Sequence, residues 1–152
     1  MLKTLKLFGF FLLCFSCYKK PLELKVSPLF SDGMVLQRNT IINIWGKATP
    51  NTNITILCEW GKKINTKSRP DGRWSGKLST PEAGGPFFLK FTADEENLLL
   101  EDILVGEVWL ASGQSNMEMS LSGYPPKDTI LNFADEIKNA NYPNIRMFNV
   151  EK

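Results

Sequence analysis

The sequence predicts an all-β sandwich followed by the beginning of an α/β domain. From position 22 to about 104, apolar and polar residues alternate with a period of two, the pattern of half-buried strands. Turn-forming residues divide this region into about seven strands at spacings of roughly 8–12 residues, as in β-sandwiches. From Ile103 the pattern changes to a nearly continuous apolar strand, a small polar turn and a helix, which is how an α/β domain begins.

Residues 1–16 predict a secretory signal that does not belong to the fold. Lys3 and Lys6 form a short positive region, and 7–16 is an apolar run too short to span a bilayer. Ser16 precedes Cys17, and 14–17 resembles a lipobox that would make Cys17 the lipidated first residue of the mature protein. Cys14 stands where leucine is usual, and cleavage at or just after Ser16 without lipidation is the alternative. We expect export to the periplasm or cell surface, with membrane contact only through a lipid anchor.

Charge and cysteine content exclude several classes of function. The chain has 18 basic and 16 acidic residues, and loss of Lys3 and Lys6 with the signal would leave the two balanced. The sequence shows no basic stripe with interleaved aromatic residues, so we do not expect nucleic acid as a partner. Zinc is not expected either, because no histidine and, if Cys17 is lipidated, a single remaining cysteine cannot supply a ligand set. If Cys17 is lipidated, Cys58 is the only remaining thiol and no internal disulfide can form.

The region 22–104 is assigned to one β-sandwich domain. Its clearest strands are 22–26, 40–46, a strand starting near Asn53, and 87–92. One face of the third strand carries Ile54, Ile56, Cys58 and Trp60, and one face of the fourth carries Phe87, Leu89 and Phe91. The gaps contain Asp-Gly at 32–33, Pro-Asn at 50–51, Pro-Asp-Gly at 70–72 and Gly-Gly-Pro at 84–86, which suit tight turns. Such a module usually has a structural or binding role.

The residues 105–152 predict the incomplete N-terminal part of an α/β domain. A strand buried on both faces is expected at 103–111, followed by a turn at 112–116. A short helix is expected from Asn116, ended by the Gly-Tyr-Pro-Pro run at 123–126. A clearer helix is expected at 128–139 with Asp128 as its N-cap, and another strand at 144–150.

The segment 107–119 places Ser115 at a sharp turn between a strand and a helix start. Its hydroxyl would be exposed at the carboxyl end of the sheet, and its backbone N–H would lie where partial positive charge stabilises an oxyanion. A structural alternative is that Ser115 to Glu118 forms a capping box. The segment is not a Gly-x-Ser-x-Gly elbow, because Asn116 and Met117 follow the serine. Gln114 and Asn116 could orient substrate or satisfy the turn backbone.

The stretch 105–119 resembles the first block of the SGNH-type (GDSL-like) hydrolases, in the Gly-Gln-Ser-Asn-Met form of sialate O-acetylesterases and related carbohydrate acetylesterases. The segments 29–38, 44–46, 71–74, 83–87 and 141–146 are similar to the same family in the same order. The resemblance implies a flavodoxin-like α/β domain, Ser115 as nucleophile and its N–H as an oxyanion donor. It also implies a glycine and an asparagine as further donors and an Asp-x-x-His pair, all beyond Lys152. Ser120 and 50–52 depart from the family pattern but leave the serine block intact.

The function implied is carbohydrate O-acetylesterase, with no metal or organic cofactor. Sialic acid is the first substrate expected, and acetylated xylan is the second. Because the chain stops before the expected histidine, we expect it to be inactive alone. The alternative is a non-catalytic exported lipoprotein whose sandwich binds glycan or another partner.

Other polar and aromatic residues have structural interpretations. Asp102 and Glu107 flank a predicted strand and are interpreted as surface charges at its ends. Arg38 is interpreted as a surface or interdomain ion-pair partner. Three tryptophans could stack on sugar rings or could pack in the core or at its rim: Trp45, Trp60 and Trp74.

Overall fold

The computed structural model describes residues 24–150 and contains two β-sheets and two short helices. The strands are β1 (Lys25–Val26), β2 (Val35–Gln37), β3 (Ile41–Lys47), β4 (Asn53–Cys58), β5 (Lys63–Lys67), β6 (Arg73–Ser79), β7 (Gly84–Ala93) and β8 (Glu96–Gly106). The helices are α1 (Ser115–Glu118) and α2 (Phe133–Asn139). One sheet has the strand order β1-β3-β6, and the other has the order β2-β8-β7-β4-β5. Neighbouring strands are antiparallel except β2 and β8, which are parallel.

The two sheets share one hydrophobic core. In β4, Ile54, Ile56 and Cys58 are buried while Asn53 and Leu57 are exposed, so the predicted alternation is confirmed. Trp74 of β6 and Phe91 of β7 join the two sheets, with ring centroids 5.9 Å apart. Since burial of a large apolar side chain stabilises a fold by about 1.5–3 kcal/mol, these inward faces hold the sandwich together.

The turn between β5 and β6 requires the conformation that Asp71-Gly72 provides. Gly72 has a φ of 79°, which residues with a Cβ rarely adopt. Its N–H donates to the Arg69 carbonyl at 2.9 Å, and Asp71 Oδ1 accepts from the Arg73 N–H at 3.0 Å. A Cβ at Gly72 would also lie 2.8 Å from the Ala48 carbonyl oxygen. The predicted turn is therefore confirmed, and its close approach to Ala48 excludes a larger residue.

The structure corrects the strand predicted at 103–111. β8 ends at Gly106, and its apolar residues Ile103 and Val105 face the sandwich core. Beyond it, Val108, Trp109 and Leu110 lie outside any strand and are 54%, 87% and 94% exposed. A strand buried on both faces needs parallel neighbours, and the described residues supply none for 107–111. β8 also runs continuously through positions 104 and 105, where we expected the sandwich to end.

The elements expected after position 111 also differ. α2 ends at Asn139 as expected but begins only at Phe133. Asp128 is not its N-cap, because its backbone pairs with Tyr124, and the N-cap position is occupied by Asn132 in a left-handed conformation. The strand expected at 144–150 does not form, since these residues have no regular secondary structure. The expectation that 105–152 begins an α/β domain stays a prediction.

Cys58 is a free, buried thiol on the inner face of β4. Desolvation by burial raises its pKa to about 12, so it stays protonated at neutral pH and behaves as a core residue. The expected signal at 1–16 and the lipidation at Cys17 lie outside the described residues. Within 24–150, no helix has the length and apolarity that crossing a membrane requires.

Candidate active site

Ser115 is the first residue of α1, a single turn that follows β8 after an irregular connection. The Met117 N–H donates to the Gln114 carbonyl at 2.9 Å, and the Met119 N–H donates to the Ser115 carbonyl at 2.9 Å. Gln114 occupies the N-cap position and makes no side-chain capping bond. The capping-box alternative requires the Ser115 side chain to cap α1. Ser115 does not occupy the N-cap position, so this alternative is wrong.

The three candidate residues of the serine block lie together and face solvent. Gln114, Ser115 and Asn116 are consecutive and exposed at the start of α1. Ser115 presents its hydroxyl and a backbone N–H that belongs to the first helical turn, where N–H groups lack an intrahelical acceptor. Gly113 comes directly before them. A Cβ at this position would lie 2.7 Å from Met117 Cγ, so glycine permits the tight turn. The arrangement places an exposed hydroxyl beside a backbone N–H donor.

A cluster that we call the exit clamp holds the chain where it leaves β8. Gln37 Nε2 donates to Glu107 Oε2 at 2.9 Å, and Gln37 Oε1 accepts from the Val108 N–H at 2.9 Å. Arg38 Nε donates to Glu107 Oε1 at 2.7 Å, and the Arg38 N–H donates to the Gly106 carbonyl at 2.9 Å. The exit clamp therefore ties β2 to the residues that lead toward Ser115.

The charge of Glu107 is stabilised by the exit clamp. The hydrogen bond from Gln37, the hydrogen bond from Arg38 and the charge of Arg38 lower the pKa of Glu107 below its usual value. Glu107 is thus an ion-pair partner of Arg38, which agrees with the surface interpretation of both residues. The sequence analysis missed Gln37, although it lies in the 29–38 block whose family resemblance was noted.

Asp102 is held by a second arginine. Arg146 Nη2 lies 2.9 Å from Asp102 Oδ1, and Arg146 Nη1 donates to the Asp102 carbonyl oxygen. Asp102 has a φ of 56° within β8, so the strand is irregular at this contact. The ion pair ties the segment around Arg146 to the sandwich, and it places Asp102 in a structural role at the strand surface.

The tryptophans of the sandwich are mainly packing residues. Trp60 Nε1 donates to the Ser79 carbonyl at 3.1 Å, and the Trp60 ring meets Phe87 edge-on at 5.3 Å. Trp74 is buried against Phe91. Trp45 is 40% exposed on the outer face of β3. Among residues 24–150, no group of three or more acidic, cysteine or histidine side chains is arranged to hold a metal ion.

Comparisons with known proteins relate the chain to one enzyme family. No family model matches the sequence. The chain is 36% identical over 128 residues to the sialate O-acetylesterase of Mus musculus, a match covering 77% of this chain and 23% of that protein. It is 33% identical over 131 residues to the sialate O-acetylesterase of Homo sapiens, a match covering 79% of this chain and 24% of that protein. Each match covers more than three quarters of the 152-residue chain, so the matched region includes Ser115.

A solved structure agrees with these matches. The crystal structure of a carbohydrate acetylesterase from Xanthomonas citri is 40% identical, with a TM-score of 0.61, and covers 64% of this chain and 22% of that chain. The chain spans about a quarter of the length of the curated relatives it matches. Sequence identity and three-dimensional similarity thus both point to acetylesterases, and the chain belongs to the sialate O-acetylesterase family.

Proposed function

We propose that the chain is part of an exported carbohydrate O-acetylesterase in which Ser115 is the nucleophile. The observation that carries this proposal is the exposed Ser115 at the start of α1, within a stretch similar to sialate O-acetylesterases. The Ser115 hydroxyl attacks the acetyl carbonyl, the sugar oxygen leaves as an alcohol, and an acetyl-enzyme forms. Water then hydrolyses the acetyl-enzyme and releases acetate. The Ser115 N–H donates to the oxyanion that forms in each step.

The exit clamp supports this role by limiting where the serine turn can begin. Glu107 and Val108 are held to β2 by three hydrogen bonds from or to Gln37 and Arg38. Nucleophilic catalysis depends on placement, because small displacements of reacting groups remove much of the rate enhancement. We infer that the sandwich serves as the platform from which the serine turn projects.

A serine hydroxyl is a weak nucleophile at neutral pH and needs a base to take its proton. In this family the resemblance implies a histidine, and these 152 residues contain none. Asp102 forms an ion pair with Arg146, and Glu107 forms one with Arg38. Neither carboxylate is therefore assigned as the base. We infer that the base comes from outside this sequence.

Hydrolysis assays on two lengths of protein test the proposal. Residues 18–152 are expected to hydrolyse p-nitrophenyl acetate no faster than their Ser115→Ala variant, because loss of the base alone costs a factor of about 10⁴–10⁶. If the reading frame continues past codon 152 and encodes Asp-x-x-His, the longer product is expected to be active and to lose activity on Ser115→Ala. Serine-dependent turnover by residues 18–152 would reveal another base. Full activity of the longer Ser115→Ala protein would exclude Ser115 as nucleophile.

Sialic acid is the proposed substrate, since the curated relatives are named sialate O-acetylesterases. Acetylated xylan is the second candidate, because the Xanthomonas citri structure is named only a carbohydrate acetylesterase. Acetate release by the longer protein from O-acetylated sialic acid and from acetylated xylan, compared at equal acetyl concentration, decides between them. A preference for xylan would contradict the first assignment.

A second candidate function is a non-catalytic exported protein that binds glycan. The exposed Trp45 on the outer face of β3 is the observation that favours it, because an exposed indole can stack on a sugar ring. A stop codon after position 152, with no downstream frame encoding Asp-x-x-His, would support this candidate over the enzyme.

A further inference from the structure

A cavity of about 610 Å³ lies at the three-stranded sheet, among residues of β1, β3 and β6 and their flanking turns. Eleven residues line it, and four of these are lysine or arginine while none is aspartate or glutamate. Two tryptophans, Trp45 and Trp74, are also among them. The lining therefore combines positive charge with aromatic surface.

The positive charges come from a row that crosses the sheet. The strand register pairs Lys25 with Lys47 and Lys47 with Arg73, and all three residues are exposed. Like charges directly opposite one another destabilise paired strands. Asp71 offsets the row only weakly, since it lies 3.9 Å from Arg73 Nε and both side chains are largely exposed. Arg69 adds a fourth cation to the lining. An anion bound between Lys47 and Arg73 would reduce the repulsion between these two side chains.

The aromatic surface lies next to the row. Trp45 shares the outer face of β3 with Lys47, and the Phe30 ring packs against it edge-on at 4.9 Å, which restrains the indole. Trp74 is 2% exposed and packs against Phe91 on the inner face of the sheet, so Trp45 supplies the exposed aromatic surface. Gly46 lies between Trp45 and Trp74, where a Cβ would collide with the Lys25 carbonyl and crowd the Trp74 ring. The Ile-Trp-Gly block thus permits β1 to approach closely and form one side of the cavity.

We propose that this cavity binds a sugar that carries a carboxylate. The carboxylate lies along Lys47 and Arg73, and an apolar face of the sugar packs on Trp45. A concave lining suits a small solute better than a flat anionic membrane. The site is built entirely from the three-stranded sheet and its turns, so binding is independent of Ser115 and of the proposed hydrolysis.

Titration of residues 18–152, labelled with ¹⁵N, tests the proposal with two matched probes. N-acetylneuraminic acid is expected to shift the indole signal of Trp45, with a Kd on the order of 1 mM, while those of Trp60, Trp74 and Trp109 stay in place. The uncharged methyl ester of the same sugar is expected to bind about 5-fold more weakly, because it cannot pair with the cations. Addition of about 0.5 M NaCl is expected to remove most of that difference.

Variants at exposed positions separate binding from folding. Lys47→Gln is expected to weaken binding of the acid about 3-fold and to leave binding of the ester unchanged. Lys77→Gln is the matched control, since Lys77 is exposed on β6 but does not line the cavity. Trp45→Ala is expected to remove binding of both probes, and Trp45→Phe is expected to restore part of it. Ser115→Ala is expected to change nothing.

Several results would overturn the proposal. If the Trp45 signal does not shift at about 50 mM sugar, the proposal is wrong, because a site with a Kd on the order of 1 mM would then be almost fully occupied. Equal affinity for the acid and the ester would show that the cations do not contribute to binding. If Lys77→Gln weakens binding of the acid as much as Lys47→Gln does, the effect of charge is not specific to the cavity. If the acid causes no shift while anionic phosphatidylglycerol vesicles broaden the Trp45 signal, the face contacts a membrane surface and the sugar site does not exist.

Discussion

At the residue scale, Gln37 shows how one side chain connects the sandwich to the candidate site. Its amide oxygen accepts from the Val108 N–H while its amide nitrogen donates to Glu107. Aspartate, leucine or lysine at this position could not make both bonds, because the site requires a donor and an acceptor on one planar group. The role of Gln37 therefore follows from its chemistry once the two strand ends are brought together.

We expect Gln37→Ala to release the chain at the exit of β8. The amide exchange rate of Val108, measured by NMR at pH 7, should rise about 5-fold, because a hydrogen bond of this kind contributes about 1 kcal/mol. Neutral pH matters because the folded pKa of Glu107 is lowered, so its ion pair contributes above the unfolded pKa and is lost as pH falls through the folded pKa. Gln114→Ala, on the exposed serine turn, is the matched control. Unchanged exchange at Val108 would show that the clamp does not restrain this segment.

At the element scale, β8 illustrates why a strand's end depends on its neighbours. Its last residues pair in parallel with β2, in the register Val35 with Leu104 and Gln37 with Gly106. The apolar run continues along the chain to Ala111, but the strand stops where β2 stops. Pairing partners thus set the length of β8, and hydrophobicity does not.

A truncation series should detect this difference. Residues 18–104 lack buried Val105 and part of the β2 pairing, so their free energy of unfolding should be about 2–4 kcal/mol lower than that of residues 18–108. Urea denaturation followed by circular dichroism measures it. Residues 18–152 serve as the reference and should match residues 18–108 within about 1 kcal/mol, since the segment after Gly106 buries little in the described structure. Equal stability of 18–104 and 18–108 would support a domain end at Leu104.

The helices are short for a related reason. Neither α1 nor α2 has a buried residue, and Ile137 of α2 is 55% exposed. Helices shorter than about 12 residues gain most of their stability from packing an apolar face against other elements. The apolar spacing at 130–137 predicts a helix but not its first residue, because no described element packs on that face to fix it.

At the scale of the whole molecule, the proposed export depends on a segment that the sandwich does not include. We propose that Cys17 is acylated, which would place the sandwich at a membrane surface through about six connecting residues. Intact mass of protein from the membrane fraction should show acyl chains on Cys17, and Cys17→Ala should release the protein into the soluble fraction. An unmodified mature N-terminus on soluble protein would contradict the proposal.

The sequence by itself determined the features that depend on local chemistry. Alternation placed Ile54, Ile56 and Cys58 on the buried face of β4, because side chains of a strand point to opposite sides in turn. Asp71-Gly72 marked a tight turn, since positive φ favours glycine. The serine block and the ordered family segments identified the relatives that the comparisons then matched.

Only the tertiary structure decided which distant residues meet. The end of β8, the exit clamp around Gln37 and the cationic row from Lys25 to Arg73 each join positions separated by about 20 to 70 residues. The order of charges along the chain does not predict this row. Lys25, Lys47 and Arg73 come from three strands, and only the strand register brings them to one face. Sheet pairing creates these neighbours, and no local preference of the sequence specifies it.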